Sequence, residues 1–104
     1  MSHNKHNVYG EVENQADLKK IFSQIREDVE QANSRSALTE LHKRAGYLIT
    51  LTYAPSWEEK FGKESAQLRN IAQEEFTTTA RKINRRAKDI GVEADYDERW
   101  GDKK

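Results

Sequence analysis

The chain has 104 residues, 18 basic against 18 acidic, with one proline and no cysteine. That length fits one domain, and the lack of cysteine excludes disulfide scaffolds and thiolate-held zinc or redox centres. No run reaches the roughly 18–20 apolar residues of a membrane span, and residues 1–7 lack the apolar core of a secretory signal. The expectation is a soluble cytoplasmic protein with no membrane partner.

Residues 1–13 are polar, contain Gly10, and hold only Val8, Tyr9 and Val12 as side chains able to bury. They read as a flexible N-terminal arm. From Asn14 the pattern changes. Leu18, Ile21, Phe22, Ile25 and Val29 recur at helical spacing and share one face. Asn14 suits the N-cap, and Asp17 three residues on complements the positive end of the helix dipole. This first helix runs to about residue 33, where Asn33-Ser34-Arg35-Ser36 supplies turn and capping residues.

A second helix over about 36–54 is marked by Leu38, Leu41, Ala45, Leu48 and Thr52, with Glu40 and Arg44 as a favourable i, i+4 pair. Tyr47, Ile49, Leu51 and Tyr53 also alternate with Leu48, Thr50 and Thr52 in the manner of a strand. A lone strand needs a pairing partner, and only residues 7–13 are remotely eligible, so helix is the preferred reading. Its C-terminal half is apolar nearly all round, which suits a central position or an oligomer interface.

Ala54-Pro55-Ser56 interrupts the chain, because the residue before a proline disfavours helical geometry. Ser56-Trp57-Glu58-Glu59 then matches a capping box, placing the start of a long third helix at Ser56. Phe61, Leu68, Ala72, Phe76, Thr79, Ile83, Ala87 and Ile90 trace its apolar face, with Gly62 as a point of interruption. Gly91 suits the position just past its end. Residues 93–104 form an acidic tail in which Tyr96 and Trp100 stand four apart, as if on one side of a helical turn.

The expected fold is therefore all-α. Two antiparallel helices of about 20 residues and a longer third make a three-helix unit over 14–92, flanked by the arm and the tail. The modest core and the long third helix admit a dimeric helical bundle.

No constellation for catalysis emerges. His42 reads as an exposed histidine beside the core stripe, and His3 and His6 lie in the arm without placed partners. Asp95-Tyr96-Asp97-Glu98 lacks the central glycine and distant glutamate of a calcium loop. Ser34, Ser36 and Ser56 are explained as caps and turns, and Thr77-Thr78-Thr79 has no nearby histidine to activate a hydroxyl. Adjacent carboxylates such as Glu58-Glu59 and Glu74-Glu75 diverge by about 100° on a helix. The expectation is a non-catalytic protein without cofactor or metal.

The sharpest local feature is basic. Arg81, Lys82, Arg85, Arg86 and Lys88 face only Asp89 within the same stretch. Arg81 with Arg85, and Lys82 with Arg86, are like-charge i, i+4 pairs that cost a few tenths of a kcal/mol each. The helix C-terminus, a folded-back acidic tail, an acidic protein partner or phosphate would each offset that cost. Arg81, Lys82, Arg85, Arg86 and Lys88 are the candidate partner-binding residues, together with Tyr96 and Trp100, whose residue types are enriched at interface hot spots. Docking of Tyr96 and Trp100 on the chain's own core, over the Trp57–Phe61 corner, is the preferred reading of that pair, with presentation to another protein as its alternative. The preferred function is a small protein-binding accessory, regulatory or inhibitor-type module. The alternative is a nucleic-acid-associated regulator gripping phosphates through the basic end of the third helix.

Overall fold

Most helix ends have reasons visible in the residues around them, and the computed structural model describes residues 12–99. α1 (Gln15–Gln31) opens at Asn14, whose backbone is extended and whose side-chain oxygen accepts the Asp17 amide at 2.8 Å. The Asp17 carboxylate turns back to accept the Glu13 amide at 2.9 Å, so the incoming chain and the first turn are tied reciprocally. Leu18, Ile21, Phe22, Ile25 and Val29 are all buried, as their spacing predicts. Ala32 then turns extended (ψ 133°) and ends the helix two residues short of the expected boundary.

Ser34 caps α2 (Arg35–Thr52) by accepting the Ala37 amide at 3.1 Å. The strand alternative for 47–53 does not form. Thr50 and Thr52 stay helical by donating their hydroxyls back to the carbonyls of Gly46 (3.1 Å) and Ile49 (2.6 Å), an outlet that suits β-branched residues in a helix. Leu48, Ile49 and Thr52 are buried, which places the all-round apolar half of α2 at the centre of one chain. Glu40 and Arg44 pair at 3.3 Å as expected.

The start of the next helix differs from the sequence expectation. α3 (Pro55–Phe61) takes Pro55 as its first residue and the extended Ala54 as its N-cap, and no side chain caps it. Ser56 therefore lies inside the first turn, and the expected capping box is not formed. Proline has no N–H to satisfy and its φ is preset for a helix start, so the chain needs no serine there. The expected long third helix is divided at Gly62, whose φ of +55° and ψ of −123° suit glycine alone. A single 3₁₀ turn (Gly62–Glu64) follows, then α4 (Ser65–Asp89). Across this joint, Trp57 packs against Phe61 with ring centres 4.4 Å apart and planes tilted by 51°, and it donates its indole N–H to the Ser65 carbonyl at 3.4 Å.

α4 packs along both α1 and α2, so three long helices and the short α3 corner enclose one core. Phe22, Phe76, Leu18, Ile25, Leu38, Ile49 and Ile83 are its largest fully buried side chains. Its two buried threonines are not left unsatisfied: Thr52 donates to the Ile49 carbonyl, and the Thr79 hydroxyl accepts from Arg26 at 3.1 Å. The all-α three-helix unit read from the sequence is the architecture observed. Among the described residues no helix is long and apolar enough to cross a membrane.

α4 ends in a Schellman motif. Gly91 adopts φ +79°, its amide donates to the Lys88 carbonyl at 3.1 Å, and the Val92 amide donates to the Ala87 carbonyl at 2.9 Å. The chain reverses there. Residues 92–97 form no helix and run back over the body of the protein.

Candidate functional site

The C-terminal half of α4 has two working faces. One borders α1 and carries the basic run; the other borders α2 and receives the reversed tail.

Between α1 and α4 lies an open groove of roughly 610 Å³. Arg26 from α1 and Arg81, Lys82, Arg85 and Arg86 from α4 line it, against the carboxylates Glu30 and Asp89, with Val29 and Thr78 between them. Helical spacing produces this arrangement. With Ile83 and Ala87 buried, Arg81, Arg85 and Lys88 fall on the exposed side and Lys82 and Arg86 on the flank toward α1.

Three of the basic side chains in the run are committed to the chain itself. Arg86 donates to the Ala32 carbonyl at 3.0 Å and to the Asn33 side chain at 3.3 Å, closing the C-terminal end of α1. Lys82 meets Glu30 at 2.6 Å. That ammonium, first by its hydrogen bond and then by its charge, holds the Glu30 carboxyl below its ordinary value; slight burial opposes the shift and the Arg86 charge adds to it. Arg81 pairs with Glu98 of the tail at 3.1 Å. The like-charge cost along α4 is thus offset partly by α1 and partly by the tail. Arg85 and Lys88 are exposed and make no ion pair or side-chain hydrogen bond among the described residues. On the α1 side, Arg26 is held by Glu75 at 2.9 Å as well as by Thr79.

The described part of the tail, residues 93–99, forms no helix, so Tyr96 is not presented on a helical turn, and Trp100 lies outside the described residues. Residues 1–11, with His3 and His6, lie outside them too. Val12 is buried and accepts from Lys60 at 2.7 Å, so the segment predicted as an arm is anchored at its inner end.

Tyr96 docks on α2 and α4 and not over the Trp57–Phe61 corner. Its amide donates to the Asn84 side-chain oxygen at 2.8 Å, and its carbonyl accepts from the Asn84 side-chain nitrogen at 2.9 Å. Its hydroxyl shares a 2.7 Å hydrogen bond with Thr39 and donates to the Arg35 carbonyl at 3.3 Å. The ring stands 5.1 Å from His42, which in turn lies 5.3 Å from Phe76. The His42 Nε2 is 2.9 Å from the Asp97 carbonyl, which can only accept, so Nε2 carries the proton. Thr77 donates to the Glu98 carbonyl at 2.8 Å.

Sequence reasoning missed Asn84, Thr39, Thr77 and the docking role of His42, as well as Arg26 and Glu30 in the groove. One signal was available for the tail: Val92, Ala94 and Tyr96 alternate with Glu93, Asp95 and Asp97 at the period of an extended chain packed on one side. Among the described residues, no three histidine or carboxylate side chains converge as a metal site would need. No family model, curated protein or solved structure matches the chain.

Proposed function

We propose that the protein is a non-catalytic binding module that takes an acidic segment of a protein partner in the groove between α1 and α4. The observation that carries this reading is the groove itself, where five cations line one cleft and Arg85 has no partner among the described residues. Opposed charge steers encounter and fixes register more than it adds raw affinity, so the groove suits a regulatory or accessory contact.

The lining also favours a protein over nucleic acid. Glu30 and Asp89 interrupt the positive charge, and Glu75 lies beside Arg26. A phosphate backbone presents unbroken negative charge to all three. A protein segment can set its carboxylates opposite the cations and place neutral or basic residues opposite Glu30 and Asp89. The neutral overall charge agrees, since dedicated nucleic-acid binders carry a basic excess.

The test is fluorescence anisotropy with a labelled oligoglutamate peptide, a short DNA duplex and a single-stranded RNA, at about 50 and 200 mM salt. Peptide binding that weakens with salt and falls about tenfold in Arg85→Glu is the expected result. Binding of DNA or RNA with no peptide binding would replace this reading by the phosphate-gripping alternative. No binding to any probe would count against the groove as a site.

A further inference from the structure

Thr77, Arg81, Asn84 and Lys88 fall four, three and four residues apart, so they form one strip along α4. The tail runs back along this strip: Val92 sits at Ala87, Tyr96 at Asn84, and Glu98 at Thr77 and Arg81. Arg81 is the one residue of the strip that also lines the groove between α1 and α4. Glu98 therefore reaches across α4 from the tail's face to a cation of the other face. Its carboxylate stands where an acidic ligand of the groove would place one of its own.

We propose that the C-terminal segment 92–99 is an autoinhibitory strap, masking Arg81 with Glu98 and lowering the affinity of the groove for acidic ligands. This rests on the groove being the binding site, and it adds how that site is regulated. The strap is built to be both specific and releasable. Specificity comes from the paired Asn84–Tyr96 hydrogen bonds and from the tyrosine hydroxyl at Thr39 and Arg35. Release is inexpensive because beyond Val92 the segment is held through exposed or half-buried hydrogen bonds, to side chains of the body and to the Arg35 carbonyl, and its apolar contribution is limited to the partly buried Val92, Ala94 and Tyr96. A ligand that takes Arg81 must displace Glu98, and any event that frees the strap unmasks Arg81.

Four full-length chains separate this from simple charge effects. Glu98→Gln removes the masking carboxylate. Asn84→Ala releases the strap without changing net charge. Glu93→Gln makes the same charge change as Glu98→Gln on a carboxylate that has no partner among the described residues. With labelled oligoglutamate, Glu98→Gln and Asn84→Ala should both bind about two- to fivefold more tightly than the natural sequence, the range of an exposed ion pair. Glu93→Gln should tighten binding by less. Coupling is reciprocal, so saturating peptide should speed hydrogen exchange at the Tyr96 amide by the same factor. Peptide binding of equal strength in the natural chain, Glu98→Gln and Asn84→Ala would overturn the strap and leave the groove reading standing. Failure of all four chains to bind would overturn the groove reading, and the masking with it.

Discussion

Glu30 and Lys82 meet at 2.6 Å from opposite walls of the groove, and this contact makes Lys82 part of the fold as well as of a candidate surface. The carboxyl titrates below its ordinary value of 4.5 because the ammonium bonds to it and attracts it. A carboxylate with a depressed folded-state pKa stabilises the fold above its ordinary value, and that stabilisation is lost as pH falls through the folded value. Lys82→Ala should therefore move the Glu30 titration midpoint upward, followed by NMR of the side-chain carboxyl carbon. An unmoved midpoint would mean that the pair does not persist in solution. Arg86 teaches the same lesson from the other side. Its place in a basic run suggests an external partner, whereas its guanidinium is spent on the Ala32 carbonyl just past α1, 54 residues away in sequence, and on the Asn33 side chain.

Capping separates what local sequence can specify from what it cannot. Asn14, Ser34 and Gly91 each act within four residues of their own position, and each was legible. Ser56 was misread because Pro55 offers a rival helix start one residue earlier, and the rivals are distinguished by backbone geometry rather than by residue type. Ser34→Ala should cost about 1 kcal/mol in urea denaturation. Ser56→Ala should change stability by less than about 0.5 kcal/mol. A similar loss from both would restore the serine cap that the structure lacks. The strand-like run in α2 resolves for a different reason. Its threonines find carbonyl acceptors within their own helix, and its apolar residues find α4, α1 and α3 around them, so the segment never needs a strand partner.

At the scale of the whole molecule, the apolar half of α2 that suggested self-association packs Leu48, Ile49 and Thr52 inside one chain. Among the described residues Tyr53 is the one exposed large hydrophobic side chain, and Arg69 covers its ring at 4.8 Å. The melting temperature should therefore not change across a hundredfold range of protein concentration in differential scanning calorimetry; a rise with concentration would point to a folded dimer. The three-helix outline was readable because its signals are periodic. The groove was only half readable: its α4 wall is a contiguous basic run, while Arg26 and Glu30 stand on α1 and give no local sign of facing it. The tail's docking was obscured likewise, because Asn84, Thr39 and His42 become a site only when α2 and α4 lie side by side. The ion pairs across and beside the groove have a consequence for how binding responds to salt. Glu30, Glu75 and Glu98 act as tethered counterions for Lys82, Arg26 and Arg81. A ligand that displaces them sets no small ion loose and gains no mixing entropy at those positions. The slope of log affinity against log salt is then governed by Arg85 and its remaining uncompensated neighbours rather than by the full number of cations in the groove.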